Sequence, residues 1–547
     1  MKDKSKDSEK PGRRRRFNPW DSFSGMAKSG LYMPLLFSFQ ALDLGGELAR
    51  IITGRSTLSP DPKDARFKDP AWQKNPVYKA SMQAYLAWCR SLETAIDESG
   101  LSDKEKEEAR KAYKLLSQQA SNQLTSSISQ KNPGQEFKSR GASLIQSAQL
   151  LSEEIQNREL PKHFTIGKDL ATTPGQVVLT TPQTELIQYH PVTAKVRQTP
   201  ILMVPSPLHR YYIFDLKPEN SLIRYLLEQG YQVFTLSWFN PNRSHKHWNM
   251  TDYGNSLIEC MRAVGQITGS STLNLFGLAA GGLIASMVAG TKEGFADVPR
   301  IKSLTLVTSG FDPRRFSTRG SAMPPQLFAA TKTLARCYGT IDANRMSELY
   351  AWARPNSLTF NSRVFNYFSS QERPTAEIQY WNTHSPHIPA ALHCDFLDLF
   401  RSNGLMKEEG IEFLDHNTRM MDIKCPVYSV AGANDYICPW EIVYANNQII
   451  NGKTEFVLTN QDHARTLVCP PGTPGAIIYT NDEQMQDAED WLNESNQHES
   501  SWWPHWQAWL NRHSGKLTAA PETLGSKQFP PSTPAPGHNA VEPSDNA

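Results

Sequence analysis

Apolar residues recur along this chain with two different periods. From Gly30 to about Leu160 the period is helical: Tyr78, Met82, Tyr85, Leu86 and Cys89 fall at three- and four-residue steps and lay one apolar stripe on a helix. Glu, Lys, Gln and Ala continue the helical composition from Leu101 to Leu151, and no repeat period marks a solenoid. After Pro174 the texture changes to short apolar and β-branched runs. These are Val177–Leu179, Leu186–Ile187, Ile201–Val204, Val233–Leu236, Leu273–Phe276, Leu304–Val307, Val427–Val430 and Glu455–Leu458. They predict strands, with helices between them such as Asn220–Glu228 and Tyr253–Thr268. Strands and helices in alternation predict an α/β domain, a mostly parallel sheet covered on both faces. An insertion rich in aromatic residues and proline interrupts it between Asp312 and about Leu405.

The ends differ from the middle. The first ~25 residues are charged and bear Ser, Pro and Gly, which predicts disorder. The final ~25 are Pro-rich and predict a loose tail. The expected organisation is a basic tail over 1–28, a helical domain over 29–172, and the α/β domain over 173–515 with its insertion at about 312–405. A Pro-rich tail over 516–547 completes it.

A chain of 547 residues exceeds what one core usually serves, in keeping with two domains. The net charge of +2 gives no field that points to nucleic acid. The block Arg13–Arg16, preceded by Lys2, Lys4, Lys6 and Lys10, reads as a solvated tail. Asp3, Asp7 and Glu9 argue against a transit peptide, and no apolar core of a secretory signal follows. The longest apolar stretch, Leu31–Leu44, is broken by Pro34 and Asp43 and is too short to span a bilayer. A cytoplasmic protein with reduced thiols is expected. Cys89, Cys260, Cys337, Cys394, Cys425, Cys438 and Cys469 are scattered with no CxxC pair, so neither a disulfide framework nor a metal site is expected.

The sharpest local feature is Leu273–Asn274–Leu275–Phe276–Gly277–Leu278–Ala279–Ala280–Gly281–Gly282, a strand, a tight turn and a small-residue helix. Gly277 and Gly281 flank Ala279 at the spacing of a nucleophile elbow. The amide of Ala280 would supply half of an oxyanion hole. A methyl group stands where the attacking atom belongs. A G-x-A-x-G string alone is weak evidence, because many packed strand–helix turns would show it. Asp435 follows the run Val427–Val430, and His463 follows Glu455–Leu458. Elbow, acid, histidine is the chain order of the α/β-hydrolase fold, and both residues sit where loops leave the carboxyl ends of strands. Asp435 and His463 are therefore the candidate catalytic acid and base.

From about Leu31 to about Leu510 the sequence resembles the polyhydroxyalkanoate synthase family, nearest to its medium-chain-length type. The resemblance rests on Ala65–Trp72, Asn75–Pro76 and Tyr85–Trp88, then on Leu170–Gly175, Val204–Pro205 and Tyr211–Leu216. It continues through Ser237–Trp238, Asn240–Pro241, Asp252–Tyr253, Tyr380–Asn382, Pro389–His393, Pro439–Trp440, Pro470–Gly472, Ser501–Trp503, His505–Trp506 and Trp509–Leu510. The resemblance implies an α/β-hydrolase fold with a lid insertion, preceded by a helical domain. It also implies a cysteine thiolate that takes a 3-hydroxyacyl group from coenzyme A, a histidine that deprotonates the incoming hydroxyl, and an acid that orients the histidine. By position Asp435 is the orienter, His463 the base and Ala279 the place of the missing cysteine. No cofactor is implied beyond the coenzyme A thioester itself.

Departures gather at this site. Tyr436 stands where the family commonly has histidine, Asp462 where it has glycine before the catalytic histidine, and Cys394 where it has glycine after His393. Leu278 is bulkier than the family's usual residue. Val204–Pro205–Ser206–Pro207–Leu208–His209 differs from the family's VPPWIN; Pro207 lacks an amide donor, but Ser206 and Leu208 each keep one, and Leu208 is taken as the second oxyanion candidate. Several changes around one pocket favour natural loss of the nucleophile over a single engineered replacement. The expected function is that of a catalytically inactive synthase homologue in polyester metabolism. It would bind (R)-3-hydroxyacyl-CoA, a polyester granule or an active synthase, as a homodimer or heterodimer. The alternative is an acyltransferase working through another nucleophile, for which Ser206, Ser309, Cys438 and Cys469 are nearest by sequence.

Overall fold

The computed structural model describes residues 164–291, 295–311, 375–435 and 437–541, with scattered positions between 47 and 94 and between 332 and 342. The basic tail, the stretch 101–151, much of the insertion, Tyr78, Cys337 and Tyr436 lie outside the described residues. The chain divides into two compact units, Met1–Ser152 and Glu153–Ala547. In the first, Phe67, Trp72, Met82 and Tyr85 form a buried cluster, with Leu86 and Cys89 packed against it. The Phe67 and Trp72 rings meet edge to face at 5.0 Å.

The second unit begins earlier than residue 173. Leu170 and Ala171 are already buried in its core, and the carboxylate of Asp215 accepts from the Thr173 amide and hydroxyl. Ten strands form its main sheet: β1 (Gly175–Thr180), β2 (Thr184–Tyr189), β3 (Ile201–Val204), β4 (Val233–Trp238), β5 (Thr272–Leu278), β6 (Arg300–Val307), β7 (Val427–Gly432), β8 (Thr454–Thr459), β9 (Ile478–Thr480) and β10 (Asn496–His498). Their spatial order is β1-β2-β4-β3-β5-β6-β7-β8-β9-β10. The six from β4 to β8 run parallel, and the pairs at either edge are antiparallel. All eight expected strands are present.

The parallel strands are buried on both faces, which is why they read as continuous apolar runs. Leu202 and Val204 of β3 point into one core, with Leu257 of the helix Met250–Thr268 and Ile284 of the helix Ala280–Ala289. Ile201 and Met203 point into the other, with Leu226 of the helix Leu222–Glu228 and Trp502 and Trp506 of the helix Trp502–Asn511. The helix Met250–Thr268 starts earlier than its apolar pattern, because Asn249 and Asp252 close a reciprocal capping box. In the insertion, Thr340–Asp342 pairs with His387–Pro389, and the helices Ala376–Thr383 and Ala390–Ser402 flank that ribbon in sequence.

The expected loose tail over 516–547 is corrected by the structure. Residues 516–541 form a packed strap: Leu517–Ala519 pairs with Lys195–Arg197, and Val177 exchanges hydrogen bonds with Ser532 and Thr533. Backbone pairing and polar contacts hold it, so no apolar period announces it. It covers the outer edge of β1, which would otherwise expose unpaired amides and carbonyls.

Candidate active site

The strand order reverses about β3: the chain steps outward to β4, then returns to β5 on the other side. Crevices at the carboxyl ends of strands next to such a reversal are where open α/β sheets bind ligands. Ala279 follows β5, Ser206 lies just beyond β3, Asp435 follows β7 and His463 follows β8, so all four are presented from one edge of the sheet.

Ala279 is the N-cap of the helix Ala280–Ala289, with φ 48° and ψ −119°. A side-chain-bearing residue held in such a conformation costs about 1–3 kcal/mol. Gly277 and Gly281 have no positive φ; what they supply is room. A Cβ on Gly281 would lie 2.4 Å from the carbonyl oxygens of Val204 and Pro205, and one on Gly277 2.4 Å from the Cα of Gly282. The elbow expected from the glycine spacing is therefore formed, with a methyl group at its tip.

The two expected oxyanion donors differ. Ala280 is the first residue of its helix, so its amide has no intrahelical acceptor and lies at the positive end of the helix dipole. The Leu208 amide instead donates to Ser206 Oγ at 3.2 Å, and the His209 amide donates to the Ser206 carbonyl at 3.1 Å. The His209 ring stacks on Trp381 from the insertion, with centroids 4.6 Å apart. Burial, and secondly the His463 imidazole, push the His209 pKa down to about 3.

Asp435 and His463 meet as the sequence order suggests. Asp435 Oδ2 lies 2.6 Å from His463 Nδ1, while Oδ1 accepts from the amides of Ile437 and Cys438 at 2.8 Å each. The carboxylate is fully buried. The two loops are also tied to each other, since Ala433 N donates to Thr459 O at 2.7 Å and Asn434 Nδ2 to Asn460 O at 2.7 Å. His463 opens the five-residue helix His463–Leu467. Asp462, the departure next to that histidine, is occupied as the helix cap: its Oδ1 accepts from the Arg465 amide at 2.9 Å.

One support was not legible as such. The indoles of Trp502 and Trp503 donate to the carbonyls of Thr466 (2.6 Å) and Leu467 (3.0 Å), the last two residues of the helix that His463 opens. The sequence shows these tryptophans as an apolar helical cluster; nothing in it shows where two indole N–H groups point.

The alternative nucleophiles are engaged otherwise. Ser206 Oγ accepts from Leu208, and Ser309 Oγ donates to the carbonyls of Ala279 (3.1 Å) and Val307 (3.0 Å). Burial raises the Cys469 thiol pKa. Cys438 is buried beside Trp440 and Tyr444, and its amide is committed to Asp435. Burial likewise raises Cys394.

Fold and elbow define an α/β-hydrolase: residues 200–465 match the family described as the alpha/beta hydrolase fold. Residues 63–226 match the N-terminal region of poly-beta-hydroxybutyrate polymerase. A poly(3-hydroxyalkanoate) polymerase 2 of Ectopseudomonas oleovorans is 36% identical over 94% of this chain and 92% of its own length. A poly(3-hydroxyalkanoate) polymerase 1 of the same organism is 34% identical over 93% of this chain and 92% of its own. A polymerase subunit of Cupriavidus necator is 28% identical over 88% and 84%. This chain belongs to the poly(3-hydroxyalkanoate) polymerase family.

Proposed function

We propose that this chain is a non-polymerising member of its family: a cytoplasmic protein of polyester metabolism that binds (R)-3-hydroxyacyl-CoA and associates with granules or with an active synthase. The observation that carries the reading is the Ala279 methyl at the tip of a formed elbow, with an assembled Asp435–His463 pair presented from the same edge of the sheet. In the family's chemistry a thiolate at this position would attack the thioester carbonyl, the Ala280 amide would face the developing oxyanion, and coenzyme A would leave as its thiol. A methyl group has no lone pair and forms no acyl-enzyme. Loss of a triad nucleophile costs about a million-fold in a hydrolase benchmark. Support for binding would come from the elbow glycines, the loop after β3 and the insertion residue Trp381. Among the described residues no helix is long and apolar enough to cross a membrane. Association with a granule would therefore need a surface contact or a partner.

The reading is tested by incubating the native protein with a medium-chain (R)-3-hydroxyacyl-CoA, following free coenzyme A thiol, and measuring binding by equilibrium dialysis. Binding with thiol release at the buffer rate is the expected result. Release well above that rate would mean that a hidden nucleophile or a general-base route bypasses Ala279, and the reading would fall.

A further inference from the structure

The strap does more than cover a sheet edge. Its end reaches the loop that carries the second oxyanion candidate. Glu185, on β2, is buried, and its carboxylate accepts from the strap amides of His538 (3.2 Å) and Asn539 (3.1 Å). Asn539 Nδ2 donates to the Ser237 carbonyl at 2.8 Å. These three bonds fix the Asn539 main chain, and its carbonyl accepts from Nη1 of Arg210. Arg210 is itself buried and directly follows His209. Its own carbonyl accepts from the Trp381 indole at 2.8 Å, and that indole stacks on His209. One chain of contacts thus runs from Glu185 through the strap end and Arg210 to the ring of His209.

We infer that Arg210 is a positioning residue, latched by the C-terminal strap, that holds the loop Ser206–His209 against the elbow. A buried guanidinium needs fixed acceptors, because leaving it unpaired costs several kcal/mol. The strap supplies one such acceptor from more than 300 residues away in sequence. A main-chain carbonyl serves here regardless of the side chain at 539, provided the strap end stays seated. Seating depends on Gly537: its φ is +77°, and a Cβ there would lie 2.4 Å from Glu185 Oε2.

Two variants test the latch from its two ends, Arg210→Gln and Gly537→Ala; neither touches the elbow, Asp435 or His463. Hydrogen exchange is followed in peptides covering 205–210 and in peptides from β5 and β6, and the His209 ring is titrated by NMR. Both variants are expected to speed exchange of the Leu208 and His209 amides at least tenfold with β5 and β6 unchanged. Both should also move the His209 titration to higher pH, and Arg210→Lys should restore part of each effect. Loop exchange and His209 titration at the native values in either variant would overturn the inference, as would equal acceleration in the loop and the central strands. These readouts need no turnover or ligand, so their failure would leave the proposed function standing.

Discussion

The two halves of the site differ in what their side chains can do. On the Asp435–His463 side every polar atom of the carboxylate is matched: one oxygen to the histidine, the other to two amides. On the Ala279 side the backbone is as tightly specified, with glycines that admit no Cβ and a strained φ, yet the side chain is inert. The contrast teaches that geometry and chemistry at an elbow are separable. Close packing of β5, the following helix and the carbonyls of Val204 and Pro205 enforces the turn. The turn is therefore set by packing and not by the side chain it presents.

If that is right, restoring the atom restores the chemistry. Ala279→Cys is expected to raise coenzyme A release from a medium-chain 3-hydroxyacyl-CoA by about a thousandfold or more, within the million-fold such a nucleophile supplies. In that background Asp435→Asn should cost up to about 10⁴-fold, as when a triad loses the carboxylate that orients its histidine. An unchanged rate would break the comparison, since the acid half would then be ornamental.

Stability probes the same contrast at a smaller scale. His393 is buried, and among the described residues neither of its ring nitrogens has a hydrogen-bond partner; burial lowers its pKa to about 4. Above about pH 6.5 the residue is neutral folded and unfolded, so it does not alter stability. As pH falls toward 4 only the unfolded chain gains the proton, and stability drops by on the order of 3 kcal/mol. Urea titrations at pH 7 and pH 4.5 should show the loss, and His393→Phe should remove part of it. Ala279→Gly should instead stabilise the fold by about 1 kcal/mol by relieving the positive φ. Asp462→Ala should cost about 1 kcal/mol through the lost cap. Equal midpoints for Ala279→Gly and the native chain would mean that the elbow stores no strain.

Much of this was legible in the sequence, for stated physical reasons. A doubly buried parallel sheet leaves continuous apolar runs, so β3 to β8 could be read directly. Gly277 and Gly281 marked the elbow because close backbone approach tolerates no side chain there. Asp435 and His463 were legible because each lies just past a strand. The strap was not, since its order comes from pairing with β1 and from Glu185, more than 300 residues away. The start of the second unit was also missed, because Leu170 and Ala171 carry no strand period yet pack beneath it.

If Ala279 is what withholds acyl transfer, a thiol at position 279 should form an acyl-enzyme on the existing elbow. Intact-mass spectrometry after incubation with a medium-chain (R)-3-hydroxyacyl-CoA tests it most directly, with the native chain and Ala279→Cys side by side. No adduct is expected on the native protein and one 3-hydroxyacyl adduct on the variant, mapped to position 279 by peptide analysis. An adduct on the native chain, or none on a folded variant, would contradict it.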